Sequence, residues 1–192
     1  MADCTSKIAK GIVNDCSAKP KGGIVRKWAI NWDDIDHEAN EYTHLKNTVT
    51  RLTLKVGGQV YPMEGNDKTS DARQEFVKGD FFNGYRHFSV YRPLTNTGVN
   101  REEMQKVIDG GRIVTIEETL NKGELRYEIV GLEVGMTAED DPRDLRENSS
   151  LREFTVATPE DELEDTGIKI LDIDDTGGTS TWIESNVFTP AT

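Results

Sequence analysis

The chain has 192 residues, with 23 basic side chains against 35 acidic ones, a formal net charge of −12 and a pI near 4.7. A balance this acidic excludes a partner held through phosphate contacts, because such binding needs Lys and Arg to displace counterions. It fits a solvated acidic surface, and equally a wall along which nucleic acid slides without sticking. The length accommodates one well-buried core, and a hydrophobic fraction of 35% with a mean hydropathy of −0.61 makes that core a modest one. No stretch approaches the ~20 apolar residues of a membrane span, and the start, Met1-Ala2-Asp3-Cys4, carries no secretory pattern.

Residues 1–23 read as an N-terminal arm. Its two cysteines, Cys4 and Cys16, lack the neighbouring Cys or His pair of a metal site and are expected to be reduced. Ile24, Trp28, Ile30 and Trp32 then interleave with polar residues, the period-two pattern of a half-buried strand. Residues 33–47 form an acidic connection. A second strand is expected over 48–56, followed by Gly57-Gly58, a pair suited to a two-residue hairpin turn. Residues 62–80 are polar and glycine-punctuated and read as a long loop or an extended hairpin tip. Residues 85–92 alternate again, with Phe88 and Val90 opposite His87 and Ser89.

One helix is expected next. Asn100 stands as N-cap with Glu103 three residues on, Met104, Val107 and Ile108 make a single apolar stripe, and Gly110-Gly111 ends it. Strands are expected over 113–120 and 125–134 around Asn121-Lys122-Gly123, then over 151–158, 168–173 and 181–188. Pro159-Glu160-Asp161-Glu162 reads as a turn. Eight or so strands strung as hairpins with one helix imply a mainly β fold, a sandwich or partly closed barrel with one flanking helix. The organisation is an arm over 1–23, a single β domain over 24–188 and a tail over 189–192.

No catalytic constellation emerges, and the chain is not read as an enzyme. His37, His44 and His87 lack metal-ligand spacing, and phosphate-loop, nucleophile-elbow and dinucleotide motifs are missing. Asp172-Ile173-Asp174-Asp175-Thr176-Gly177 begins like a calcium loop but puts Ile183 at its twelfth position. It reads as an acidic turn, and Asp33 to Glu38 as a solvated loop. Trp28, Trp32 and Trp182 could offer a carbohydrate-stacking platform, although core or interface positions suit them better. No cofactor or metal is expected.

The order of elements, together with Ala29-Ile30-Asn31-Trp32-Asp33-Asp34-Ile35, Arg112-Ile113-Val114-Thr115-Ile116-Glu117 and Tyr127-Glu128-Ile129-Val130-Gly131-Leu132-Glu133-Val134-Gly135, resembles the major tail tube proteins of long-tailed bacteriophages, notably those infecting Bacteroidales. The resemblance covers residues 10–175 and rests on short motifs. It implies a tail tube fold, homohexameric rings stacking into a tube with other phage tail proteins at its ends, and passage of DNA without specific binding. It also implies location in the virion tail after assembly in the host bacterial cytoplasm, and no membrane contact. By position, it places Pro62, Glu64, Asp67, Lys68, Asp71 and Arg73 at a subunit interface; Glu117, Glu124 and Glu128, on the polar faces of the second hairpin, are then expected towards the lumen. Two other readings are kept: a tail terminator, neck or distal-tail ring protein, and a carbohydrate-binding β-sandwich module.

Overall fold

The computed structural model describes residues 22–63, 71–79, 83–93, 97–141, 153–174 and 177–189. The fold is mainly β, with two sheets and two helices. Eleven strands occur among the described residues: β1 (Ile24–Asn31), β2 (Glu41–Thr43), β3 (Thr48–Arg51), β4 (Tyr61–Pro62), β5 (Asp71–Lys78), β6 (Asn83–Tyr91), β7 (Ile113–Thr119), β8 (Tyr127–Val130), β9 (Thr137–Asp140), β10 (Phe154–Ala157) and β11 (Lys169–Leu171). Helix α1 (Gly98–Ile108) joins β6 to β7, and α2 (Thr179–Asn186) follows β11. The larger sheet has the order β2-β3-β11-β8-β7-β1-β4 and the smaller one β5-β6-β10-β9. All pairings are antiparallel except β3 with β11.

Side-chain alternation along β1 and β7 divides the interior in two. Trp28, Ile30, Val114 and Ile116 share one face of the larger sheet and pack with Ile35, Leu52, Ile129, Leu171, Trp182 and Ile183. This is the main apolar core, and α2 covers it. The opposite face carries Lys27, Thr115 and Glu117 and meets β6 of the smaller sheet. A second apolar cluster lies at one end of this layer, built from Met104 of α1 with Ile113, Val130, Met136, Phe154 and Val156.

Several expectations need correction. The segment expected as the last strand, 181–188, is mostly α2: Thr179, Trp182 and Ile183 fall at i, i+3 and i+4 and are the buried residues of one helical face. Within residues 62–80, expected as a long loop or an extended hairpin tip, Asp71–Lys78 form β5, paired with β6 along its whole length, so the loop alternative fails there. The second strand stops at Arg51, and the 55–58 turn, closed by a bond from Gly58 N–H to Lys55 O, leads into no hairpin because Val60 bridges to Val187. The N-cap of helix α1 lies three residues before the expected one: Thr97 Oγ1 accepts from Asn100 N–H at 3.2 Å, while Glu103 is engaged by Lys106 at 2.7 Å.

Gly135 illustrates how tightly the connections are built. Its φ of +81° disfavours any side chain, and an added Cβ would lie 2.9 Å from the Trp32 ring. Trp32 is itself fixed by a bond from Nε1–H to Leu132 O at 3.3 Å. Left-handed strain and overpacking together give Gly135→Ala a cost of about 2–4 kcal/mol, read as a lower urea midpoint at an unchanged slope.

Candidate functional site

Chemistry-bearing side chains concentrate between the two sheets. Lys27 on β1 and Glu117 on β7 are direct cross-strand partners, with side chains 2% and 0% exposed and Nζ 3.1 Å from Oε1. Lys27 also donates to Ser89 Oγ at 2.8 Å and Val90 O at 2.7 Å, with Asp71 O at 3.4 Å, so its ammonium spans from the larger sheet to β5 and β6. Ser89 Oγ and Thr115 Oγ1 each donate to Glu117 Oε1 at 2.9 Å. Burial pushes Lys27 below its ordinary pKa and Glu117 above its own. On the far side of Glu117, Glu128 is its cross-strand partner on β8, and burial followed by the Glu117 charge raises its carboxyl as well.

A second ionisable group lies further along β6. His87 Nδ1 accepts from Gly131 N–H at 3.2 Å, which places the ring proton on Nε2. Burial first, and Lys169 second, lower its pKa to about 4. Glu164 is fully buried and accepts from Glu133 N–H at 3.1 Å and Val134 N–H at 3.0 Å, while its backbone pairs with Tyr85 in both directions. Burial raises its carboxyl to about 7 against those bonds. Glu133 returns the contact, accepting from Asp165 N–H at 3.0 Å and meeting Lys169 Nζ at 3.2 Å. These reciprocal bonds fasten the 158–168 segment to the 131–135 turn.

The opposite face of the larger sheet carries a charged triad. Glu118 is gripped by Arg26 and Arg126, whose guanidinium groups lie over Trp28 and Tyr127. Burial pushes the Glu118 carboxyl up, and the hydrogen bonds from both arginines outweigh it and hold the group below its ordinary value.

The expected site residues distribute unevenly. Glu117 cannot line a lumen: it is sealed between the sheets, because β7 is a central strand buried on both faces. Glu128 is half-buried beside it, and the Glu124 side chain lies outside the described residues. Pro62 is exposed on β4, the last strand of the larger sheet, and Asp71 and Arg73 are exposed on β5, the first strand of the smaller one. Glu64, Asp67 and Lys68, like Cys4 and Cys16, lie outside the described residues. Trp28 and Trp182 are closed into the core and Trp32 is half-buried, so Trp28 and Trp182 offer no stacking face. No group of metal-ligating side chains forms among the described residues. Sequence reasoning missed Lys27, His87 and Glu164; for Lys27, the available signal was its register opposite Glu117 on strands with apolar neighbours. Searches of protein families, curated proteins and solved structures find no match to this chain.

The two titrating groups oppose each other. Native His87 binds fewer protons than the unfolded chain between about 4 and 6.5, so its contribution to stability rises with pH across that window. Native Glu164 binds more protons than the unfolded chain between 4.5 and about 7, so its contribution falls with pH there. Each amounts to about 3 kcal/mol, and between pH 4.5 and 6.5 they cancel. Urea titrations at stepped pH, read as the difference between each variant and the native chain, separate these two contributions from those of Glu117, Glu118 and Glu128. Relative to the native chain, His87→Gln should lose stability as pH rises from about 4 to 6.5, and Glu164→Gln should gain it from 4.5 to about 7.

Proposed function

We propose that the chain is a non-enzymatic structural subunit that assembles with copies of itself into rings, as the subunit of a phage tail tube through which DNA passes. The observation that carries this reading is β5. It is an eight-residue strand at the edge of the smaller sheet, exposed at six of its positions and free of a strand partner on its outer side among the described residues. Phe76, 60% exposed, stands on it against Tyr85 at 5.5 Å. A long edge with an exposed aromatic ring is an aggregation hazard in a monomer and a ready pairing surface in an assembly. Pro62 lies on β4, an edge strand of the larger sheet, and Asp71 and Arg73 lie on β5, an edge strand of the smaller one. The net charge of −12 supports a conduit that does not bind phosphate.

Light scattering and negative-stain images of the purified chain provide the test. The expected result is a particle several times 21.5 kDa, seen as rings or hollow tubes. Phe76→Glu combined with Arg73→Glu should yield monomers with an unchanged circular dichroism spectrum. A wild-type chain that stays monomeric at high concentration would remove the proposal, whereas rings that never stack would favour a terminator or neck protein.

A further inference from the structure

The surroundings of Glu117 are more asymmetric than a buried ion pair requires. Its Oε1 receives both hydroxyl donors, from Ser89 and Thr115, while Oε2 is buried without a hydrogen-bond partner among the described residues. As an anion, such a carboxylate is poorly solvated, because one of its two charge-bearing oxygens accepts no hydrogen bond among the described residues. As an acyl group it is well arranged: one oxygen sits in a two-hydroxyl cradle that can hold developing negative charge, and the other is unrestrained as a leaving group. Lys27 Nζ lies 3.1 Å from Oε1. Val90 O and Ser89 Oγ, at 2.7 and 2.8 Å, suffice to accept the two N–H bonds of a neutral amine and leave its lone pair unengaged. Burial displaces both ionisations towards the neutral forms. Glu128, directly opposite Glu117 and half-buried, supplies a carboxyl on the same sheet face to carry a proton.

We propose that Lys27 and Glu117 condense to an intramolecular isopeptide bond that links β1 to β7. Nζ adds to Glu117 Cδ, and the hydroxyls of Ser89 and Thr115 hold the charge that develops on Oε1. The Nζ–Cδ bond forms and the Cδ–Oε2 bond breaks. One hydrogen of the amine passes by way of Glu128 to the departing hydroxyl, which leaves as water, and nothing is oxidised or reduced. Two conditions drive a reaction that is unfavourable in bulk solvent. The reacting atoms are held together by strand register, which replaces a bimolecular encounter, and the site excludes the water that would reverse the step.

Mass spectrometry of the purified, denatured chain decides the matter without any variant. The expected result is an intact mass lower by one water, no tryptic cleavage after Lys27, and a branched peptide joining the segments that contain residues 27 and 117. Lys27→Arg, with folding checked by circular dichroism, should show the full mass of its sequence. Glu128→Gln should fold and accumulate the linked form about a hundredfold more slowly, the usual scale for losing a proton carrier. A wild-type chain of full mass, cleaved after Lys27 as readily as at other lysines, would overturn the proposal. Linkage in Glu128→Gln at the wild-type rate would overturn the role given to Glu128.

Discussion

Lys27 and Glu117 are the pair on which the joining of the two sheets depends. Each is an expensive side chain to bury alone, and together they remain costly unless every remaining donor and acceptor is engaged. The fold nearly achieves this by register: the pair is fixed across β1 and β7, and Lys27 continues to Ser89, Val90 and Asp71 on the facing sheet. Packing of the smaller sheet and engagement of the buried Lys27 amino group are therefore the same set of contacts. Removing one partner alone leaves the polar atoms of the other buried without their cross-strand contact, which is destabilising.

This polar layer also explains the composition. A hydrophobic fraction of 35% suggests a weak core when burial is assumed to be apolar. Here the apolar residues are concentrated on the far face of the larger sheet, under Trp182 and Ile183 of α2, and at one end of the inter-sheet layer around Met104 and Phe154. The space between is filled by Lys27, Ser89, Thr115, Glu117, His87, Glu164 and Lys169, all buried. Most of their polar atoms are satisfied, and His87 and Glu164 are held off their ordinary titration ranges by burial. A low apolar content thus reflects what the interior is made of and not how much interior exists.

Where side-chain pattern and burial coincide, the sequence could be read directly. Trp28 and Ile30 alternate on β1, and Met104 faces inward from a helix that ends at Gly110-Gly111. Strand β5 escaped because it is an edge: Asp-Ala-Arg-Gln-Glu-Phe-Val-Lys meets water on nearly every side chain, so no apolar period is imposed on it. Helix α2 escaped because Thr179, Thr181, Trp182 and Ile183 favour strands by type, while its helical spacing is only two turns long. Glu117 is expected towards a lumen from its place on a polar face of the second hairpin, and its burial departs from what its residue type suggests. Its neighbours Val114 and Ile116 on one face and Ile113 and Thr115 on the other mark a strand covered on both sides, in which a carboxylate must be buried and paired.

The smaller sheet then constrains how copies of the chain could associate. Phe88 on its outer face is already covered, with the guanidinium groups of Arg73 and Arg86 lying 4.6 and 4.8 Å from the ring centre. Arg86 is in turn held by Glu139 at 2.6 Å and by Thr158 O at 3.0 Å. Docking another subunit face-on would have to strip these charged groups of water and of their partners, which is unfavourable. The margin at β5 carries no such obligation: its outward N–H and C=O groups lack a strand partner among the described residues, and Phe76 adds apolar area beside them. Pairing of β5 on one copy with β9, the short acidic strand at the opposite edge of the same sheet, would join unlike surfaces. Contacts between unlike surfaces repeat from copy to copy and end only by closing into a ring or growing as a filament. The charged cover on one surface and the bare edge on another support the proposed ring assembly without requiring it.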